Sequence, residues 1–93
     1  MGDTDELSAE EKARFVLDSW DRGTFYSIAR TIMYHLDRHG RGRSAYQYTN
    51  DAITAWEMEK QNARLVYWGG RVVYRVRSGY YTLEGKILTF WNG

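Results

Sequence analysis

The stretch Arg64-Leu65-Val66-Tyr67-Trp68-Gly69-Gly70-Arg71-Val72-Val73-Tyr74-Arg75-Val76-Arg77 decides the fold. β-Branched and aromatic residues fill both flanks of a Gly-Gly pair, the pattern of two strands joined by a two-residue hairpin turn. Ser78-Gly79 then turns the chain again. Tyr80 to Leu83 and Ile87 to Trp91 read as further strands, separated by a turn at Glu84-Gly85-Lys86. Residues 64–91 are therefore expected to form an antiparallel meander of about four strands.

Upstream, the period is that of helices. Ser8 and Glu11 make a capping box that opens an acidic helix within residues 1–23, with Phe15, Val16, Leu17 and Trp20 on its apolar side and Gly23 as its left-handed stop. Residues 24–61 continue the helical part. There Phe25, Ile28, Ala29, Ile32, Met33 and Leu36 recur at spacings of three and four, which predicts a core-facing helix from about Thr24 to His39 ending at Gly40. Ser44 and Gln47 form a second capping box, opening a helix to about Lys60 that turns Tyr48, Ala52, Ala55, Trp56 and the stem of Glu59 inward. Helices first and sheet last make an α+β fold, two to three N-terminal helices packed on a C-terminal sheet, in a single domain over residues 1–93.

Composition narrows the chemistry. The 93 residues contain no cysteine, which excludes disulfides, thiol catalysis and thiolate metal sites. No window approaches the length of a membrane span and the N-terminus lacks a signal-peptide pattern, so a soluble chain without a membrane partner is expected. The net charge of +1 hides an asymmetry: residues 1–21 carry seven acids against Lys12 and Arg14, net −5, so the remaining residues carry +6 and the body is basic. A basic body favours a polyanion such as RNA, by counterion release.

Strand alternation places Arg71, Val73, Arg75 and Arg77 on one face and Val72, Tyr74 and Val76 on the other. Guanidiniums at alternate strand positions, roughly 6–7 Å apart, suit successive phosphates and a phosphorane-like transition state. The same face also fits an ordinary solvated surface or the rim for an acidic protein. Of the aromatic residues Trp68, Tyr80, Tyr81, Phe90 and Trp91, most are expected in the core, leaving Tyr80 and Trp91 as candidate ligand contacts.

His35 and His39 stand one helical turn apart. A metal clip is disfavoured because no His-Glu-x-x-His pattern, third histidine or cysteine completes a ligand sphere. The helical wheel puts His39 inside the apolar stripe, where it can meet the carbonyls of the last turn. His35 falls at the stripe's edge, half-exposed, where an imidazole can exchange protons near neutral pH.

His35-Leu36-Asp37-Arg38-His39-Gly40, then Ser44-Ala45-Tyr46-Gln47-Tyr48-Thr49-Asn50-Asp51-Ala52, then Gly85-Lys86-Ile87-Leu88-Thr89-Phe90 resemble, in order and separation, motifs of the C-terminal toxin domains of bacterial polymorphic and contact-dependent inhibition systems. These look like the barnase/colicin/RelE-like ribonucleases. The resemblance covers roughly residues 34–91. It implies a metal-independent endoribonuclease without cofactors that cleaves tRNA or another structured RNA. Such a domain would be delivered by a larger secreted or cell-surface protein, act in the target-cell cytoplasm, and be neutralised by an immunity protein, as a monomer or a toxin–immunity heterodimer. Carried over residue by residue, it implies His35, Arg75 or Arg77, and Thr89 as the catalytic set. Here the segment around the arginines is compressed, so the resemblance does not choose between Arg75 and Arg77, and the acidic N-terminal helix has no counterpart.

In the chemistry so implied, His35 takes the proton of the RNA 2′-hydroxyl, the arginines neutralise the pentavalent phosphate, and Thr89 orients an oxygen. His39 or Tyr80 protonates the leaving group, giving a 2′,3′-cyclic phosphate, with Arg71, His39, Tyr80 and Trp91 binding substrate. The alternative is a noncatalytic RNA-binding or protein-interaction module that uses the basic strand 71–77. A deaminase is disfavoured because the zinc ligands of that chemistry are missing.

Overall fold

A serine caps each of three helices: Ser8 before α1 (Ala9–Ser19), Ser27 before α2 (Ile28–His39) and Ser44 before α3 (Ala45–Glu59). Both expected capping boxes form, Ser8 with Glu11 and Ser44 with Gln47, each satisfying two backbone N–H groups. The computed structural model describes residues 7–91, so the first acids of the N-terminal segment lie outside the described residues. After a single 3₁₀ turn at Lys60–Asn62 come β1 (Arg64–Trp68), β2 (Arg71–Val76), β3 (Gly79–Tyr81) and β4 (Ile87–Phe90). They pair in sequence order, each antiparallel to the next. This is the α+β arrangement expected.

The hairpin turn has positive φ at both Gly69 and Gly70, the backbone that matches the twist of two strands joined by two residues. It sets the register Trp68 opposite Arg71 and hence Arg64 opposite Arg75. On one face of the sheet, α3 packs Trp56 against Tyr74 and Tyr81, and Tyr48 against Phe90. Buried phenols are satisfied across the layers: Tyr81 donates to the Ala52 carbonyl at 2.7 Å, and Tyr48 donates to the carbonyl of Phe90. Burial raises the pKa of both, so they remain neutral donors.

Three expectations need correction. First, α1 ends at Ser19 rather than at Gly23; Trp20 turns extended and its backbone bridges Ile87, so the chain runs along the outer edge of β4. Gly23, at φ +60°, serves the following turn, where it packs near Trp68 and Leu88. Second, α2 starts at Ile28, because Ser27 rather than Thr24 provides the capping oxygen, and Phe25 lies in the preceding turn.

Third, the buried stripe of α2 is rotated from the expected one. Met33 is 68% exposed and Ala29 is exposed, whereas Thr31 and His35 are buried with Ile32. The cause is Trp20. Its indole, 1% exposed, donates to Thr49 Oγ1 at 2.9 Å and stacks with both His35 and Tyr48, drawing His35 inward. Among the described residues, no helix is long and apolar enough to cross a membrane.

Candidate nucleic-acid interface

The strand registers align one residue from each strand in a row across the sheet: Arg64 of β1 faces Arg75 of β2, Arg75 faces Tyr80 of β3, and Tyr80 faces Thr89 of β4. Directly paired residues point to the same face, so the row presents two guanidiniums, a phenol and a hydroxyl together. It lies opposite the α3 face, because Tyr74 and Tyr81, one position off the row, pack on Trp56. Between Tyr80 and Tyr81 the register shifts by a bulge, the device that re-aims side chains at the end of a ladder.

Aromatic rings flank this row. Trp68 lies 5.4 Å from Tyr80, and Trp91 meets Tyr80 edge-on at 5.5 Å, so the three rings form a strip. The Arg75 guanidinium sits 5.8 Å from the rings of both Tyr80 and Trp91, which fixes a flexible cation by cation–π contact while leaving the residue exposed. Tyr80 and Trp91, expected as ligand contacts, are half-buried on this face, whereas Tyr81 and Phe90 are core.

The arginines of the basic strand differ in their engagement. Arg71 pairs with Asp21, Nη1 to Oδ1 at 2.9 Å and Nη2 to Oδ2 at 3.3 Å, and ties the sheet to the turn after α1. Burial pushes the Asp21 carboxyl upward, but the Arg71 and Gly23 hydrogen bonds and the charges of Arg71 and Lys86 outweigh it and hold the pKa below its ordinary value. Arg77 falls just past β2, exposed, and lines a depression of about 570 Å³ together with Arg75 and Arg64. Arg64 was not singled out from the sequence. The two-glycine turn held the signal, since counting outward from it pairs Arg64 with Arg75.

His35 is more buried than expected, at 6% exposure, whereas His39 is half-buried, the reverse of the wheel's ranking. His35 Nδ1 lies 2.8 Å from the Thr31 carbonyl and 3.2 Å from its hydroxyl. A carbonyl only accepts, so the proton of the neutral ring sits on Nδ1 and Nε2 keeps its lone pair. Nδ1 is thus engaged within the helix, and Nε2 is the ring nitrogen left to accept a proton.

Burial depresses the His35 pKa; the Thr31 bond opposes this in part, and the charges of His39 and Arg38 lower it further. The structure records no contact between His35 and Arg75 or Arg77. Between them lie Trp20, on which His35 stacks, and β4, whose Ile87 the Trp20 backbone bridges and whose Thr89 ends the row. His39 stacks on His35 at 6.3 Å, continuing the column toward the end of α2.

No group of three His, Cys, Asp or Glu side chains that could hold a metal ion occurs among the described residues. No protein-family model and no solved structure matches the chain. Its sequence is similar to part of the tRNA(Glu)-specific nuclease WapA of Bacillus subtilis subsp. natto (strain BEST195), 32% identical over 82 residues. That match takes in 78% of this chain and spans 4% of the length of the curated relative.

Proposed function

We propose that this chain is a nuclease toxin domain that cleaves tRNA, and that the row Arg64–Arg75–Tyr80–Thr89 is the surface that receives the RNA backbone. The carrying observation is the row itself: cations, a phenol and a hydroxyl brought to one sheet face beside rings suited to base stacking. The similarity to part of a tRNA-specific nuclease supports the substrate class.

Metal-independent RNA cleavage needs three services from side chains. A base removes the 2′-hydroxyl proton as the 2′ oxygen bonds to phosphorus; cations hold the phosphorane; an acid protonates the 5′ oxygen as its bond to phosphorus breaks, leaving a 2′,3′-cyclic phosphate. His35 is the base in this reading, because its Nδ1 is fixed to the Thr31 carbonyl and Nε2 keeps the lone pair that accepts a proton. Arg75 neutralises the phosphorane, being the arginine that lies in the row with Tyr80 and Thr89, with Arg77 beside it. Thr89 orients a phosphate oxygen, and His39 or Tyr80 supplies the acid. As a toxin domain, the chain would be delivered into a target cell as part of a longer protein and be neutralised by an immunity protein with an acidic surface matching the row.

The aromatic strip alone also fits a noncatalytic RNA-binding module. Expressing the chain in bacteria and sequencing RNA ends separates the two readings. New discrete tRNA ends that vanish with Arg75→Ala support the nuclease, whereas unchanged ends with RNA retained on the purified protein support the binder.

A further inference from the structure

Arg64 and Arg75 face each other directly across β1 and β2, and Arg77 lies two residues beyond Arg75. Neighbouring strands lie about 4.8 Å apart, which brings the Arg64 and Arg75 backbones close, and Arg77, in the turn just past β2, lines the same depression as both. Like charges directly opposite on paired strands destabilise a sheet, whereas opposite charges there stabilise it. Among the described residues no acid forms an ion pair with Arg64, Arg75 or Arg77. The ion pairs among the described residues use Arg14, Arg43, Lys60 and Arg71, and the depression that the three arginines line contains Asn62 and apolar strand residues but no carboxylate.

The depression is offset from the remainder of the row. Arg75 leans over Tyr80 and Trp91, toward β3 and β4, while Arg64 sits on β1, the strand at the far end of the sheet from Thr89. Two neighbouring phosphates of one strand can therefore be held at once, one between Arg75 and Thr89 and the next in the depression.

We infer that Arg64 and Arg77, with Asn62, form a phosphate subsite beside the scissile position, so that the chain grips at least two consecutive phosphates of its RNA. This rests on the reading of the sheet face as an RNA-binding surface and deepens it: the ligand is a backbone phosphodiester rather than a base. Arg64 is thereby a binding residue that contributes through affinity for the RNA chain.

The test measures binding of a 2′-O-methyl RNA oligonucleotide, whose blocked 2′ oxygen cannot attack, at salt concentrations between about 50 and 200 mM. Arg64→Gln should weaken binding about tenfold and reduce the slope of log affinity against log salt by about one. Arg14→Gln, removing an exposed cation of α1, should change neither. An unchanged slope for Arg64→Gln, or an equal loss for Arg14→Gln, would overturn the subsite, the first outcome leaving the depression to an acidic protein partner and the second reducing the effect to net charge. Because the oligonucleotide is not cleaved, the result is independent of catalysis. A reduced slope in a protein that never cuts RNA would keep the subsite and refute the nuclease, and cleavage with an unchanged slope would do the reverse.

Discussion

His35 Nδ1 hydrogen-bonds to the carbonyl oxygen of Thr31, one turn earlier in the same helix, at 2.8 Å, while its ring stacks on the buried indole of Trp20. The imidazole is thus held in one tautomer by its own helix and in one orientation by the extended residue that follows α1. Replacing it by alanine removes packing as well as chemistry, so His35→Ala should lose about 2 kcal/mol of stability or more together with any activity. His35→Phe keeps the stack. It should melt within a few degrees of the parent while leaving RNA uncut, a separation readable by paired melting and cleavage assays.

The lowered pKa of His35 ties stability to pH. The folded state binds a proton on this ring less readily than the unfolded chain, whose histidine has the ordinary value of 6.5. The contribution is therefore complete above 6.5 and is lost as pH falls from there through the folded-state pKa. Thermal melts should show the midpoint dropping over that window in the parent and dropping less in His35→Phe.

Asp21 and Arg71 join the turn after α1 to the sheet, partly exposed to solvent. Asp21→Asn should cost about 1 kcal/mol at neutral pH, a value kept small by solvent screening. Since the carboxyl's pKa is lowered below its ordinary 3.8, its contribution is present above that value and fades as pH falls through the folded-state pKa. Chemical denaturation of parent and variant should converge in strong acid; a gap that persists there would assign the effect to something other than this ion pair.

The row depends on close approach between β3 and β4. A Cβ on Gly79 would collide with the backbone carbonyl of Thr89, so Gly79→Ala should force apart the strands that carry Tyr80 and Thr89. A loss of about 1–3 kcal/mol is expected, with RNA binding falling along with it. Melting and binding measured on the same preparation check this.

Much of the sheet was legible because its signals are local. Gly69-Gly70 names its turn, the alternation from Arg71 to Arg77 assigns faces, and Ser44 with Gln47 marks a helix start. What periodicity cannot carry is the choice of which polar groups go inside. Met33 is more apolar than His35, yet Met33 faces solvent, because His35 satisfies Nδ1 within its helix and finds a flat partner in Trp20. Trp20 in turn needs Thr49 from α3 for its indole N–H, a link across 29 positions that no window of the sequence displays. Arg71 likewise reads as a free cation until its distant partner Asp21 is seen.

Arg75 lies exposed between two rings, so its removal should act on chemistry more than on folding. Arg75→Ala is expected to lower the rate of tRNA cleavage about 10²–10³-fold with little change in melting temperature.

Incubating the purified chain with tRNA in EDTA and analysing the chemistry of the new ends is the most direct test of a nuclease built on this sheet face. The account predicts discrete fragments bearing 2′,3′-cyclic phosphates, produced by the parent and formed about 10²–10³-fold more slowly by Arg75→Ala. Intact tRNA after prolonged incubation, or fragments formed equally well by Arg75→Ala, would contradict it.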